Sequence, residues 1–158
     1  MSFPVVLALA VLAGIIAGLR SFTMPAAVCW AAHLGWLHLE GSNLSWMGLT
    51  ATVYIASALA VMELVFDKTP WIGARTKPGS LIFRIATGAL SAAAFCISSG
   101  QSIVLGVIAA AVGALIGTFG GYQARHRIVT DLKAPDILVA LVEDALAVGG
   151  AFWVVSRF

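Results

Sequence analysis

Residues 85 to 124 read "IATGALSAAAFCISSGQSIVLGVIAAAVGALIGTFGGYQA", forty positions without a single Asp, Glu, Lys or Arg. One membrane-crossing helix takes about 20 mostly apolar residues, so the run is too long for one span. The polar tetrapeptide "SSGQ" (Ser98 to Gln101) interrupts it. This predicts a tight hairpin, with one span over Leu81 to Ile97 and another over Ser102 to Tyr122.

The same criterion, carried outward, finds spans at Pro4 to Leu19, Ser45 to Phe66 and Asp136 to Val155. Pro135 opens the last one, where its missing N–H has no helical partner to lose. Composition agrees: 61% of the 158 residues are hydrophobic and 10% are charged, against about a quarter charged in soluble domains. The expected fold class is therefore all-α. It is a polytopic transmembrane helix bundle of about five spans forming one domain over residues 1–158. The N-terminus lacks the positive residues of a secretory leader and reads as a retained first span.

Pro25 to Leu39 is harder to place. Its length fits a short span, a re-entrant helix or an interfacial helix; Trp30, His33, Trp36, Leu37 and His38 give it an interface-like character, so a half-buried helix is expected there. Cytoplasmic loops are rich in Lys and Arg. Lys68, Arg75 and Lys77 follow the second span, with Arg84 just inside the third; Arg125, Arg127 and Lys133 follow the fourth. With five spans these loops share a side. The N-terminus then lies inside and the C-terminus outside, in a multi-pass protein of the cytoplasmic (inner) membrane. Trp30, Trp36, Trp46 and Trp153 fall near the outer boundary and Trp71 near the inner one. Arg20 is left on the outer side, where a lone cation is an exception.

Polar positions recur at helical spacing. The third span carries Arg84, Thr87, Gly88 and Ser91; the second Ala56, Ala60, Glu63 and Asp67; the last Asp136, Ala140, Glu143, Asp144 and Ala147. A charge at mid-membrane costs roughly 2.5–3.5 kcal/mol on insertion scales, and such side chains face the bundle interior. Glu143 and Asp144 lie about 12 Å into their span at 1.5 Å per residue. They form either a structural ion network or a cation, proton or anion site. Gly14 and Gly18, and Gly113 and Gly117, form GxxxG pairs. Such pairs let backbones approach, within the bundle or in a homo-oligomer. The shared register of "AGIIAGLRSF" and "VGALIGTFGG" raises a weak inverted repeat, in which the first and fourth spans run oppositely.

"RSFTMP" (Arg20 to Pro25) reads as a helix restart, with Ser21 or Thr23 able to cap it. Free N–H groups at such a start favour an anion: a small solute, a lipid phosphate or an acidic side chain of the same chain. Arg20 either snorkels to headgroups or turns into the bundle.

Nothing points to catalysis. No Ser–His or HExxH arrangement occurs, and Cys29 and Cys96 lack metal-ligand spacing. No catalytic residue, metal or cofactor is expected, and a net charge of +2 without basic runs argues against nucleic acid. The candidate substrate- or ion-binding residues are Arg20, Ser21, Thr23, Glu63, Asp67, Arg84, Glu143 and Asp144. The functional expectation is a small transporter or channel-like protein for ions or small solutes with an acid-rich cavity, in contact with membrane lipids. The alternative is a non-transporting assembly or lipid-binding module whose buried charges are structural.

"GLRSFTMP" (Gly18 to Pro25), "ELVFDKTP" (Glu63 to Pro70) and "APDILVALVEDALAVGG" (Ala134 to Gly150) together resemble a bacterial integral membrane family known only as a domain of unknown function. The resemblance implies that Arg20, Glu63, Asp67, Lys68, Pro70, Asp136, Glu143 and Asp144 belong to family patterns. It implies no activity, substrate or cofactor.

Overall fold

The computed structural model describes residues 1–66, 77–131, 133 and 135–158. Asp67, Lys68, Pro70, Trp71 and Arg75 fall outside these residues. Among the described residues six α-helices follow one another: α1 (Phe3–Leu19), α2 (Thr23–His33), α3 (Thr50–Phe66), α4 (Pro78–Ser98), α5 (Ile103–Asp131) and α6 (Asp136–Val155), with a 3-10 turn at Ser45–Gly48 before α3. Three of them, α4, α5 and α6, are long and apolar enough to cross a membrane, while α1 and α3 are shorter apolar helices. Large apolar side chains such as Tyr54, Val104, Ile116 and Leu146 stand exposed on the outside, as a lipid-facing surface requires.

The hairpin forms where the sequence places it. Gly100 takes a left-handed backbone angle (φ 64°), and the Gln101 N–H reaches back to the Cys96 carbonyl at 2.8 Å. Such a glycine ends α4 without the steric penalty of a Cβ.

α1 must stop before Pro25. In an unbroken helix, the Pro25 ring would clash with the carbonyl of Ser21 and leave that carbonyl without a donor. Instead, Arg20 adopts an extended conformation (φ −141°, ψ 113°) and α2 starts at Thr23, which puts Pro25 in its first turn.

Helix direction follows from which residues meet. Gly14 abuts Ala110 and Gly18 abuts Ala114 and Thr118, so α1 and α5 run parallel. Gly88 meets Gly14 and Ala17 while Arg84 reaches Gly18, so α4 is antiparallel to both. α2 turns back: Phe22 at its start meets Phe83 of α4 at 5.1 Å, and the His38 N–H just beyond its end donates to Ser98 Oγ at the end of α4, so these two run the same way. Phe22 bonds to Glu63 and Trp30 to Ser57, so α3 opposes α2.

Three expectations are corrected by this geometry. First, α2 is not a half-buried interfacial helix. Eight of its eleven residues are buried, because its alanines and small side chains fit between α3, α4 and α6. The interface-like character belongs to the segment after it, where Trp36 is exposed. Second, the extra reversal brings both termini to one end, so an N-in, C-out split does not fit. Gln101 in the α4–α5 turn reaches the Met1 carbonyl at 3.4 Å, and Phe158 stacks on Phe95 at 4.7 Å. Third, the first and fourth predicted spans, α1 and α5, run parallel, not opposed as the inverted repeat requires.

The glycine faces pack α1 against α5 within one chain. A Cβ on Gly14, Gly113 or Gly117 would overlap a backbone carbonyl of the opposite helix, that of Ala110, Val11 or Ile15. These faces are already occupied, so a homo-oligomer would need a different surface.

Candidate functional site

Breaking a helix inside a bundle exposes two sets of unpaired backbone groups, the last carbonyls of α1 and the first N–H groups of α2. In lipid each such group left unsatisfied costs several kcal/mol. Side chains from the surrounding helices satisfy them. Arg84 of α4, only 4% exposed, donates from Nη1 to the Gly18 carbonyl at 2.6 Å. The Thr118 hydroxyl of α5 donates to the same oxygen at 3.3 Å. A cation at a helix C-terminus is also favoured by the helix dipole.

The start of α2 is capped from outside. Glu63 of α3 accepts the Ser21 N–H on Oε1 at 2.7 Å and the Phe22 N–H on Oε2 at 2.8 Å. One carboxylate thus bridges two consecutive backbone donors. Neither Ser21 nor Thr23 caps the helix with its hydroxyl, contrary to the sequence expectation. Of the anions expected at this start, the acidic side chain of the same chain is the one in place.

Arg20, between the two helix ends, has no exposed surface and turns into the bundle. Its Nη2 lies 2.5 Å from Oδ1 of Asp144 on α6. The neighbouring Glu143, about 100° around α6 from Asp144, turns towards α5, with Oε2 3.8 Å from Arg125 Nη1. Arg125 also forms a bidentate pair with Asp136, at 2.9 and 2.8 Å. Two groups result. Arg20, Ser21, Thr23, Glu63, Arg84 and Asp144 meet at the break. Glu143 joins Arg125 and Asp136 nearer the bundle end, beside an apolar cleft of about 160 Å³ lined by Leu19, Gly121 and Leu146. Asp67 lies outside the described residues.

Thr118 was not among the sequence candidates. The signal was its position: within the α5 span it is the hydroxyl set among Gly113, Gly117, Gly120 and Gly121, on the buried face. The other missed partner, the Gly18 carbonyl, carries no side-chain signal.

Depth follows from α5. From Thr118, level with the break, Arg125 is seven residues on, about 10 Å at 1.5 Å per residue. Ile103 is fifteen residues back, about 22 Å. The break therefore sits towards the end that carries Arg84, Arg125, Arg127 and Lys133. Arg20 is no longer isolated from the other cations, because the turn at residues 20–22 lies at their end.

A protein-family model, Domain of unknown function (DUF4126), matches residues 7–156, and the chain belongs to that family. No curated protein and no solved structure matches it.

Proposed function

We propose that this member of the family is a small multi-pass membrane protein that passes ions or small solutes, with the α1–α2 break as its working site. The observation that carries the reading is Arg20, without exposed surface and ion-paired to Asp144 between two half-helix ends. Ionisable groups held inside a membrane bundle are expensive and mark ion or substrate paths. Discontinuous helices whose ends point into the bundle are how secondary transporters build such sites. By the charge rule, the end bearing Arg84, Arg125, Arg127 and Lys133 faces the cytoplasm, and both termini face out. Purified protein in liposomes, assayed across monovalent cations, protons and small anions, is expected to show flux that Asp144→Asn reduces at least tenfold while the protein stays folded. Absence of flux for every species, or flux indifferent to Asp144→Asn, refutes the reading.

A second reading has its own support. Each charged group at the break is engaged within the chain, as a structural network would be. Under this reading the protein is a non-transporting assembly or lipid-binding module. Removing Arg20 and Asp144 together is then tolerated where removing either alone is not. Flux by the intact protein would exclude it.

A further inference from the structure

The start of α2 holds a carboxylate, but that carboxylate comes from the least anchored helix in the bundle. Among the described residues of α3 only Val53 is buried, and the helix packs on α2 and the 3-10 turn. Next to Glu63's two N–H donors, the Thr23 hydroxyl is buried without a hydrogen-bond partner, in a residue only 6% exposed. Side chains on a helix tilt towards its N-terminus, so this hydroxyl, on the first residue of α2, leans into the break. A buried hydroxyl left unpaired is costly, and a ligand oxygen there would recover that cost.

Beside this seat runs an apolar groove of about 280 Å³ between α3 and α4, floored by α2 and lined by Phe22, Cys29, Ile55, Leu59, Phe83 and Leu90. It starts at Phe22, whose N–H Glu63 holds, and Leu59 is one helical turn from Glu63. Seat and groove share Phe22: a two-oxygen anionic head on its N–H side and an alkyl-sized slot beside its ring.

We propose that the start of α2 is a carboxylate-binding seat which Glu63 fills in the resting protein, and that its ligand is an amphiphilic monocarboxylate, a fatty acid whose alkyl tail lies in the α3–α4 groove. The ligand carboxylate takes the Ser21 and Phe22 N–H groups and the Thr23 hydroxyl. Glu63 swings out at its end of α3, while the Trp30–Ser57 hydrogen bond holds the helix to α2 further along. The proposal deepens the reading of the break as a binding site but does not require flux. Decanoate binding without transport would leave it standing while refuting the transport reading.

The test is equilibrium binding of radiolabelled decanoate to the protein in phosphatidylcholine nanodiscs, with acetate, decanol and decyl phosphate as competitors. Decanoate is expected to bind, and acetate and decanol to compete at least tenfold less well, since each lacks one half of the ligand. Glu63→Gln, which keeps the side-chain shape but removes the competing charge, is expected to tighten decanoate at least fivefold. Thr23→Val is expected to weaken it several-fold. Leu90→Trp, which fills the groove, is expected to abolish the advantage of decanoate over acetate. Should Glu63→Gln fail to fold, the Leu90→Trp and Thr23→Val arms decide alone. Acetate matching decanoate, decanol matching it, decyl phosphate exceeding it, or a folded Glu63→Gln protein with unchanged or weaker binding each overturns the proposal.

Discussion

Gly117 and Gly120 stand three residues apart on α5 and offer a controlled comparison. A Cβ on Gly117 would lie 2.8 Å from the Ile15 carbonyl carbon and 2.9 Å from the Ile15 Cα, and closer still to the carbonyl oxygen; on Gly120 nothing lies within 4 Å. Ala in place of Gly favours any helix by about 1 kcal/mol, and that gain is common to both sites. Their difference therefore isolates packing. The obstacle at Gly117 is backbone, which cannot rotate aside, so α1 and α5 must separate by about 1 Å to restore ordinary contact. A gap of 0.5–1 Å forfeits a quarter to a half of each contact's attraction, and overpacked sites of this kind lose about 1–3 kcal/mol. Gly117→Ala is thus expected to be neutral to about 2 kcal/mol destabilising, and Gly120→Ala to stabilise by up to about 1 kcal/mol. Unfolding both variants in mixed micelles by titration with a denaturing detergent, followed by tryptophan fluorescence and far-ultraviolet circular dichroism, measures the difference directly. Equal stabilities, or Gly117→Ala the more stable, would refute the parallel α1–α5 contact on which the position of the break depends.

The same assay separates the two kinds of ion pair. Asp144→Asn strips the carboxylate from the buried Arg20 and is expected to destabilise by about 3 kcal/mol. In an Arg20→Met background it should cost at least 1 kcal/mol less, as such coupled pairs do; a coupling near zero would show that the two side chains do not interact. Asp136→Asn breaks a pair with Arg125 in which the Asp136 side chain is 60% exposed and leaves Arg125 beside Glu143, and a loss of under about 1 kcal/mol is expected. A loss as large as that of Asp144→Asn would mean that the α5–α6 pair is shielded from water. For topology, peptide tags added at Met1 and at Phe158 are expected to be cleaved by protease from the same face of sealed vesicles. Cleavage from opposite faces would contradict the reversal at residues 20–22.

What the sequence reveals and what it hides divide along physical lines. The α4–α5 hairpin is legible because a forty-residue uncharged run must fold back on itself and SSGQ supplies the only polar turn within it. The buried faces of α4 and α6 are legible because Arg84, Thr87, Ser91, Glu143 and Asp144 repeat at helical spacing in an apolar background. The passage of α2 through the bundle is hidden, since eleven residues are too few for a hydropathy window and its alanines carry little signal. One overlooked reversal then flips everything that depends on parity: whether the two termini share an end, the relative direction of α1 and α5, and the apparent isolation of Arg20. Pairing is hidden for a different reason. Glu63 stands on a legible polar stripe, but its acceptor role depends on two backbone N–H groups more than 40 positions away, and backbone donors leave no mark in composition.

The charges in this chain answer to the break before they answer to any substrate. A helix interrupted within lipid must find donors for its last carbonyls and acceptors for its first N–H groups. Charged side chains within lipid must find partners as well. Arg84 at the Gly18 carbonyl and Glu63 at the Ser21 and Phe22 N–H groups meet both demands at once, each with the sign the helix dipole favours, and Asp144 neutralises the arginine between them. Buried charge at the break therefore fits both a transport site and a structural network, and the flux assay separates the two. The three groups are held unequally. Arg84 and Asp144 are themselves buried, on helices packed deep in the bundle. Glu63 hangs from α3, the least buried helix, beside an open apolar groove and an unpaired hydroxyl. If any one of these three groups gives way to an outside one, it is Glu63.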